Sequence, residues 1–368
     1  MVLHSVRLQT KWLRKWLEWG IMDQQASDSV VDTDIIQAFV ACGPGRQPYA
    51  QPGRVTDFLG ISTRTAYIDS IAHLAGTVET PPIPANFHAS QLEWAGTLRS
   101  ALQTERTFVA IELGAGWCPW LLAGAVAAER CGAEELKLCG VEACSGHVEY
   151  ARQHFLDNPL ESAHVELLHG IAGVRDGYEK FPDVDNPAGN WGAAAFIAGS
   201  VGHQETQARY SGVRRLARLV RAGSLRAWQC LPGQSPGKRL RSYALSPLIE
   251  QHDWVDLLHV DIQGHEFDVL NAAIEQLCQR VKRIVIGTHS ESLATQLRKL
   301  LESRDWLLEA EEACQVSRSR GKESLLIDGC QVWRNSRWLP AVTKSDLSKV
   351  DSTGYDPSAV VKANRRVA

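Results

Sequence analysis

Thr107-Phe108-Val109-Ala110-Ile111-Glu112-Leu113-Gly114-Ala115-Gly116-Trp117-Cys118-Pro119 is the stretch whose reading decides the fold. A short apolar strand ends on an acid, a Gly-x-Gly turn follows, and Trp120 to Arg130 continues as a helix of small and apolar residues. A second strand is expected around Leu136-Lys137-Leu138-Cys139-Gly140-Val141, ending on Glu142. Strand, glycine turn, helix, strand and terminal carboxylate make one nucleotide-binding half of an open α/β sheet. The glycines let the backbone turn sharply and approach a ligand closely. Pro119 suits the first helical position, where no amide hydrogen is needed. A carboxylate ending the second strand can accept both hydroxyls of a ribose.

The details of the turn choose between cofactors. The third glycine of the dinucleotide fingerprint is missing, since the chain runs on to Pro119. Glu112 ends the first strand and is expected to face the pocket. Unlike charges about 4 Å apart gain roughly 4 kcal/mol at an effective dielectric of 20, and like charges lose as much. A carboxylate here therefore disfavours a pyrophosphate and favours an ammonium or sulfonium group.

Composition sets the outer bounds. The chain has 368 residues, 44% hydrophobic and 22% charged, with net charge −3. These are ordinary globular values, and nothing in them points to a nucleic-acid partner. The 9 cysteines lie scattered through apparent strands and helices without a CxxC pair. Reduced, mostly buried thiols are expected, with no disulfide framework and no zinc site. No apolar run approaches the ~20 residues that span a bilayer, and the N-terminus lacks a secretory core, so the cytoplasm is the expected compartment. Residues 1 to 22 read as an amphipathic helix with Leu8, Trp12, Leu13, Trp16 and Trp19 on one side. Such a helix can lie on a membrane surface. Docking on its own domain or on a second subunit is the favoured reading, because apolar stripes are usually burial devices.

Outside the central stretch, Ser27 to Phe39 and Ser90 to Gln103 read as helices, the latter with Leu92, Trp94, Leu98 and Leu102 along one face. Residues 1 to 104 are read as a helical and irregular N-terminal extension packed over the pocket. Its His88 and Glu93 can reach a substrate, although isolated polar residues in a cap are more often structural. After Glu142, Ser145 is expected to cap a helix ending near Asn158, and His164 to Leu168 is a third strand. Ile171, in Gly170-Ile171-Ala172-Gly173, follows that strand where an adenine ring would lie. Ala194 to Ala198 and Leu225 to Leu231 are strand-like, and Pro247 to His252 is a short helix. The near-continuous apolar run through Leu257-Leu258-His259-Val260 fits a central parallel strand, with Asp261 at its end and a helix from Glu266 to Gln279. Strands Val281 to Gly287, Trp306 to Glu311 and Leu325 to Trp333 follow, with a helix Ser290 to Ser303 between the first two. Residues 105 to 335 form the expected catalytic domain, and 336 to 368 a polar tail, mobile from about Leu339. Alternating strands and helices argue for a doubly wound, Rossmann-like parallel sheet with ligands at the carboxyl ends of its strands.

Glu112-Leu113-Gly114-Ala115-Gly116 resembles the first motif of S-adenosylmethionine methyltransferases, and Glu142 their ribose-binding acid. Leu257-Leu258-His259-Val260-Asp261-Ile262-Gln263-Gly264-His265-Glu266, with Leu270 and a later strand ending at His289, is similar to the FkbM-type family of these enzymes. Asn190-Trp191-Gly192 also looks like it, and the resemblance covers roughly residues 105 to 335. It implies a seven-stranded class I methyltransferase sheet with a final antiparallel hairpin, S-adenosylmethionine as cofactor, and O-methylation of a sugar, polysaccharide or polyketide hydroxyl. Cys118-Pro119 and the long N-terminal extension depart from the family pattern and leave the substrate open.

The expected cofactor contacts are Glu112, Gly114, Ala115, Gly116, Trp117, Glu142, Ile171 and Asp261. The expected catalytic groups are Asp261, His265, His289 and Glu266. The histidines titrate near neutrality and are the favoured bases, and Asp261 can orient one of them or accept the substrate hydroxyl. Glu266 heads a helix, where a carboxylate is favoured regardless of function. Asp261 and the histidines can also ligate a divalent ion, but Thr288-His289 supplies too few oxygen ligands, so no required metal is expected. A small-molecule or saccharide substrate and a possible homo-oligomer complete the expected partners. Two rival functions stay open: an NAD-dependent oxidoreductase, and a non-catalytic scaffold built on a degenerate methyltransferase fold.

Overall fold

The computed structural model describes residues 28–41, 49–195, 237–319, 322–342 and 346–350. Helices α1 (Asp28–Ala41) and α2 (Gln91–Leu102) precede β1 (Thr107–Leu113), α3 (Pro119–Arg130), β2 (Glu135–Glu142), α4 (Ser145–Asp157) and β3 (Ala163–His169). The second half supplies β4 (Leu257–Val260), α5 (Glu266–Ala272), β5 (Arg283–Thr288), α6 (Glu291–Glu302), β6 (Trp306–Glu312) and β7 (Gly329–Asn335). These seven strands form one sheet in the order β6-β7-β5-β4-β1-β2-β3. The run from β5 to β3 is parallel, whereas β7 lies antiparallel between β5 and β6. The fold is thus the expected doubly wound sheet of a class I methyltransferase, with a closing antiparallel pair.

The strand order turns back between β1 and β4, which opens a crevice at their carboxyl ends. β1, β4 and β5 are buried on both faces, which is why their sequences read as apolar runs. One core lies beneath α2 and α3, with Trp94, Leu98, Phe108, Leu121 and Val332; the other lies under α6 and gathers Ile111, Val260, Leu270, Ile284 and Leu297. Helix α2 sits hard on the sheet: a Cβ on Gly96 would come within 2.8 Å of Val285. Buried Arg99 of α2 pairs with Asp32 of α1, tying the two helices together.

Some boundaries differ from expectation. Cys144, not Ser145, is the N-cap of α4, and it uses no side-chain cap. The expected helix Glu266 to Gln279 is broken at Ala273, and its second half is Ile274–Arg280. The expected strand Leu325 to Trp333 is two strands: Lys322–Ile327, which pairs with Gln315–Ser319 in a hairpin, and β7. Asp328 alone separates them, and a Cβ on Gly329 would strike the backbone of Cys314 at 2.5 Å. Ala194 and Ala195 are buried but not in a strand. The expected N-terminal helix, the Leu225 to Leu231 strand and most of the tail lie outside the described residues. Among the described residues, no helix is long and apolar enough to cross a membrane.

Candidate active site

A cavity of about 300 Å³ opens at the crevice between β1 and β4 and extends along the strand ends. Its floor is the glycine turn. The amides of Gly114 and Ala115 both donate to the Val141 carbonyl, at 2.9 and 3.0 Å, which pins the turn to β2. Gly114 has φ +74°, and a Cβ there would lie 1.8 Å from the Asp261 carbonyl oxygen. No other residue fits between β1 and β4 at this point. Pro119 starts α3 as expected.

The two acids of the expected cofactor site are held by backbone amides. Glu142 Oε2 accepts from Gly116 N–H at 2.9 Å, and Oε1 from Cys144 N–H at 2.6 Å. One carboxylate thus fixes both the glycine turn and the start of α4, and it still faces the cavity. Glu112 is buried and accepts from Leu121 N–H at 2.9 Å, capping the first turn of α3. Burial raises its pKa well above the usual carboxylate range against that hydrogen bond, and Glu142 and Asp261 push it the same way. The cavity end of β1 therefore resists further negative charge.

At the ends of β4 and β5 the expected catalytic residues fall into two rows. Asp261 lines the cavity, with 38% of its side chain exposed. Behind it stand His289 and Glu266, both fully buried and absent from the lining. His289 Nε2 is 3.1 Å from Asp261 Oδ1, and its Nδ1 is 3.1 Å from Glu266 Oε1. Glu266 also accepts from the amides of Ile262 and Gly264, at 2.9 and 3.0 Å. Burial alone would lower His289, but Glu266 and Asp261 raise its pKa well above the ordinary value. Burial would likewise raise Asp261, yet the hydrogen bond and charge of His289 bring it below its ordinary value. The two acids thus favour the imidazolium form of His289, which weakens it as the expected base. Together with Glu266 it positions Asp261. Asp261, Glu266 and His289 place one ligand atom each within 4.8 Å of one another.

His265 lines the cavity with Nε2 2.9 Å from the Ala195 carbonyl. Trp117 and Ile171 line it too. The Trp117 ring meets Trp191 edge-on at 4.8 Å, and Trp191 stacks flat on His147 at 3.8 Å. A Cβ on Gly116 would lie 3.2 Å from the Trp191 ring, so the second glycine is the seat of that indole.

Several lining residues were not singled out from sequence. His147 sits one helical turn into α4, 3.6 Å from Glu142. Burial opposes its charge, but Cys144 and Glu142 lift it to about 10. His259 occupies the middle of the apolar β4 run, in register with Glu112 of β1. Both point to the face covered by α2 and α3, where they meet His88, Glu93 and Trp120. A polar residue inside an otherwise apolar central strand was the signal for His259; no local signal marks His147. Among the described residues the lining holds Glu93, Glu112, Glu142 and Asp261 and no Lys or Arg.

Comparisons with known proteins bear on the family of the chain. The sequence model of the methyltransferase FkbM domain matches residues 232–312. A protein of Jannaschia sp. (strain CCS1), named "Putative methyltransferase", is 33% identical over 287 residues, 78% of this chain and 94% of that one. The solved structure of methyltransferase FkbM from Methylobacillus flagellatus KT is 12% identical, covers 63% of this chain and 45% of that chain, and superposes with a TM-score of 0.34. Precorrin-6y C5,15-methyltransferase from Geobacter metallireducens GS-15 is 12% identical, with 67% and 88% coverage and a TM-score of 0.32. At such scores neither superposition carries an argument.

Proposed function

We propose that this chain, which belongs to the FkbM-type methyltransferase family, is an S-adenosylmethionine-dependent O-methyltransferase acting on a hydroxyl of a sugar, polysaccharide or polyketide-like acceptor. The observation that carries this reading is the charge of the cavity. Glu112, Glu142 and Asp261 end three adjacent strands around the glycine turn, with no Lys or Arg among the described lining residues. His147 is a cation on the wall, but it is turned onto Glu142 and the Pro187 carbonyl. A diphosphate would find no Lys or Arg and three acids that only His147 and His289 offset, whereas a sulfonium would meet groups of opposite charge.

The residues present fit this donor. Each Glu142 oxygen accepts one backbone hydrogen bond and keeps a lone pair for a ribose hydroxyl. Buried Ile171 and Ala172 offer an apolar wall beyond β2 for a purine. When bound, S-adenosylmethionine supplies an electrophilic methyl group. The chain's task is then to hold the acceptor oxygen in line, and such positioning can remove roughly 7–11 kcal/mol of barrier.

We assign this task to Asp261, which lines the cavity. Its exposed oxygen accepts the acceptor's hydroxyl hydrogen and aims the oxygen lone pair into the cavity. A carboxylate held below its ordinary pKa is a weak base, but a hydroxyl becomes a strong acid as its oxygen gains a carbon. The proton can therefore pass to Asp261 late in the step, without a free imidazole. Glu266 and the His289 imidazolium keep that carboxylate in one orientation. The rings of Trp117, Trp120 and Trp191 line the same space and suit the apolar faces of a sugar ring.

Transfer of labelled methyl from S-adenosylmethionine to a panel of sugars and hydroxylated polyketides tests the proposal. Asp261→Asn is expected to lower turnover by about 10²–10⁴-fold, beyond any loss of donor affinity. Turnover unchanged in that variant removes Asp261 from the chemistry, and no labelled acceptor with any hydroxyl compound removes O-methylation.

A further inference from the structure

A second, smaller sheet carries a surface that the proposed chemistry does not use. Its strands are Ile171–Gly173, Gly177–Phe181 and Lys238–Ala244, with the last in the middle. Gly177–Phe181 runs antiparallel to that middle strand, with Tyr178 opposite Arg241 and Lys180 opposite Arg239. Residues opposite each other, and those two apart along a strand, share a face. Tyr178, Lys180, Arg239 and Arg241 therefore stand on one side, and all four are exposed. Glu179, Phe181, Leu240 and Ser242 take the other side, where Phe181 and Ser242 are buried. That inner side joins the core around Cys144 and Ala195, and Phe181 lines the cavity together with Ile171 and Ala172. The sheet is thus a wall with the cavity behind it and a basic face in front.

The arginines of this face are laid against tyrosine rings. Arg239 lies over the Tyr178 ring at 5.0 Å, and Arg241 over the Tyr243 ring at 4.7 Å. A guanidinium braced on a ring keeps its planar fork of N–H donors for a carboxylate. Lys180, Arg239 and Arg241 have no ion pair among the described residues, whereas neighbouring Lys238 is paired with Asp183 at 3.2 Å. The only acid within the three strands, Glu179, is on the opposite side. Cations gathered without acids stand out on a chain of net charge −3.

We infer that this face is a docking site for an acidic polysaccharide, a sugar chain bearing uronate carboxylates. The choice of a sugar chain rests on the acceptor class proposed above, since a polymer held on the cavity's outer wall stays beside the cavity. Charge complementarity selects the anion. Carboxylates repeat along a uronate chain, so successive sugars can meet Lys180, Arg239 and Arg241, and Arg–carboxylate pairs are the stronger for being bidentate. Tyr178 is 61% exposed, and its ring suits the apolar face of a sugar between them. A nucleic acid is a poorer match, because a duplex brings one charge per ~1.7 Å against a small basic face on a net negative chain. A membrane surface is poorer still, because this face has no aliphatic side chain to insert.

Fluorescence anisotropy with labelled oligogalacturonate tests the face without requiring turnover. Wild type is expected to bind it, more weakly as NaCl rises from about 0.05 to 0.5 M, and to bind the methyl-esterified oligomer at least tenfold more weakly. Lys180→Gln combined with Arg239→Gln and Arg241→Gln should cost at least tenfold in oligogalacturonate affinity. The same variant should keep its thermal unfolding temperature and its S-adenosylmethionine affinity within twofold, because the wall behind the face is untouched. The inference is overturned if wild type ignores oligogalacturonate or holds the ester as tightly, or if the triple variant binds like wild type. Tighter binding of single-stranded DNA or of phosphatidylserine vesicles than of the uronate chain overturns it too. Wild type that holds oligogalacturonate but methylates no hydroxyl compound supports the docking face while removing O-methylation, so the two readings fail separately.

Discussion

Replacing Glu142 with alanine separates its structural work from its binding work. In the ligand-free protein its two oxygens accept from Gly116 N–H at 2.9 Å and Cys144 N–H at 2.6 Å. Hydrogen bonds to a charged group contribute about 1.5–3 kcal/mol each. The side chain is 12% exposed, so water recovers part of the loss, and a net cost of about 2–4 kcal/mol remains. Glutamine should recover little of it. Its single oxygen can satisfy one amide, and its NH₂ must then face the other N–H donor. Aspartate is one methylene too short to span both. Urea unfolding followed by tryptophan fluorescence, without any ligand, measures this directly. All three variants should lose stability, alanine most. An alanine variant within about 0.5 kcal/mol of wild type would refute the reasoning, since the turn and the start of α4 would then be held by other contacts.

Gly114→Ala should fail to form the native turn, because its Cβ would lie 1.8 Å from the Asp261 carbonyl at a left-handed φ; native-like thermal unfolding with full donor binding would contradict the close approach of β1 and β4. Burial lifts Asp57 to about 7 against the amides of Ile61 and Leu59. Its contribution to stability should therefore fall as pH rises from about 4, the unfolded value, to about 7, by at most about 4 kcal/mol. Asp57→Asn should flatten that slope in urea titrations between pH 4 and 8, and an unchanged slope would show that another group carries it. A bound cation should draw the proton from Glu112, whose pKa is raised by burial. Donor affinity should then increase with pH in wild type, and Glu112→Gln should remove the increase when calorimetry is repeated from pH 6 to 9.

The parallel core of the fold was legible because buried strands such as Thr107–Leu113 and Arg283–Thr288 must be apolar on both faces. The antiparallel end was less so. Leu325-Leu326-Ile327 and Cys330-Gln331-Val332-Trp333 read as one run, although Asp328-Gly329 between them is a turn signal. The break at Ala273 carries no local mark at all. In the site, the strand-end acids and the glycines were readable from spacing. The division of labour behind Asp261 was not, because it depends on β5 delivering His289 between two carboxylates that are distant in sequence from it. His259 escaped because a strand scored as apolar hides a single polar residue. Its partners Glu93 and His88 come from a segment more than 150 positions earlier, so only the fold brings them together.

Titration of the purified chain with S-adenosylmethionine and, separately, with NAD tests the central claim most directly, namely that a carboxylate-ringed cavity at the β1–β4 crevice takes a cationic donor. One molecule of S-adenosylmethionine bound per chain, with no heat from NAD, is the predicted result. NAD bound at that stoichiometry while S-adenosylmethionine is ignored would contradict it.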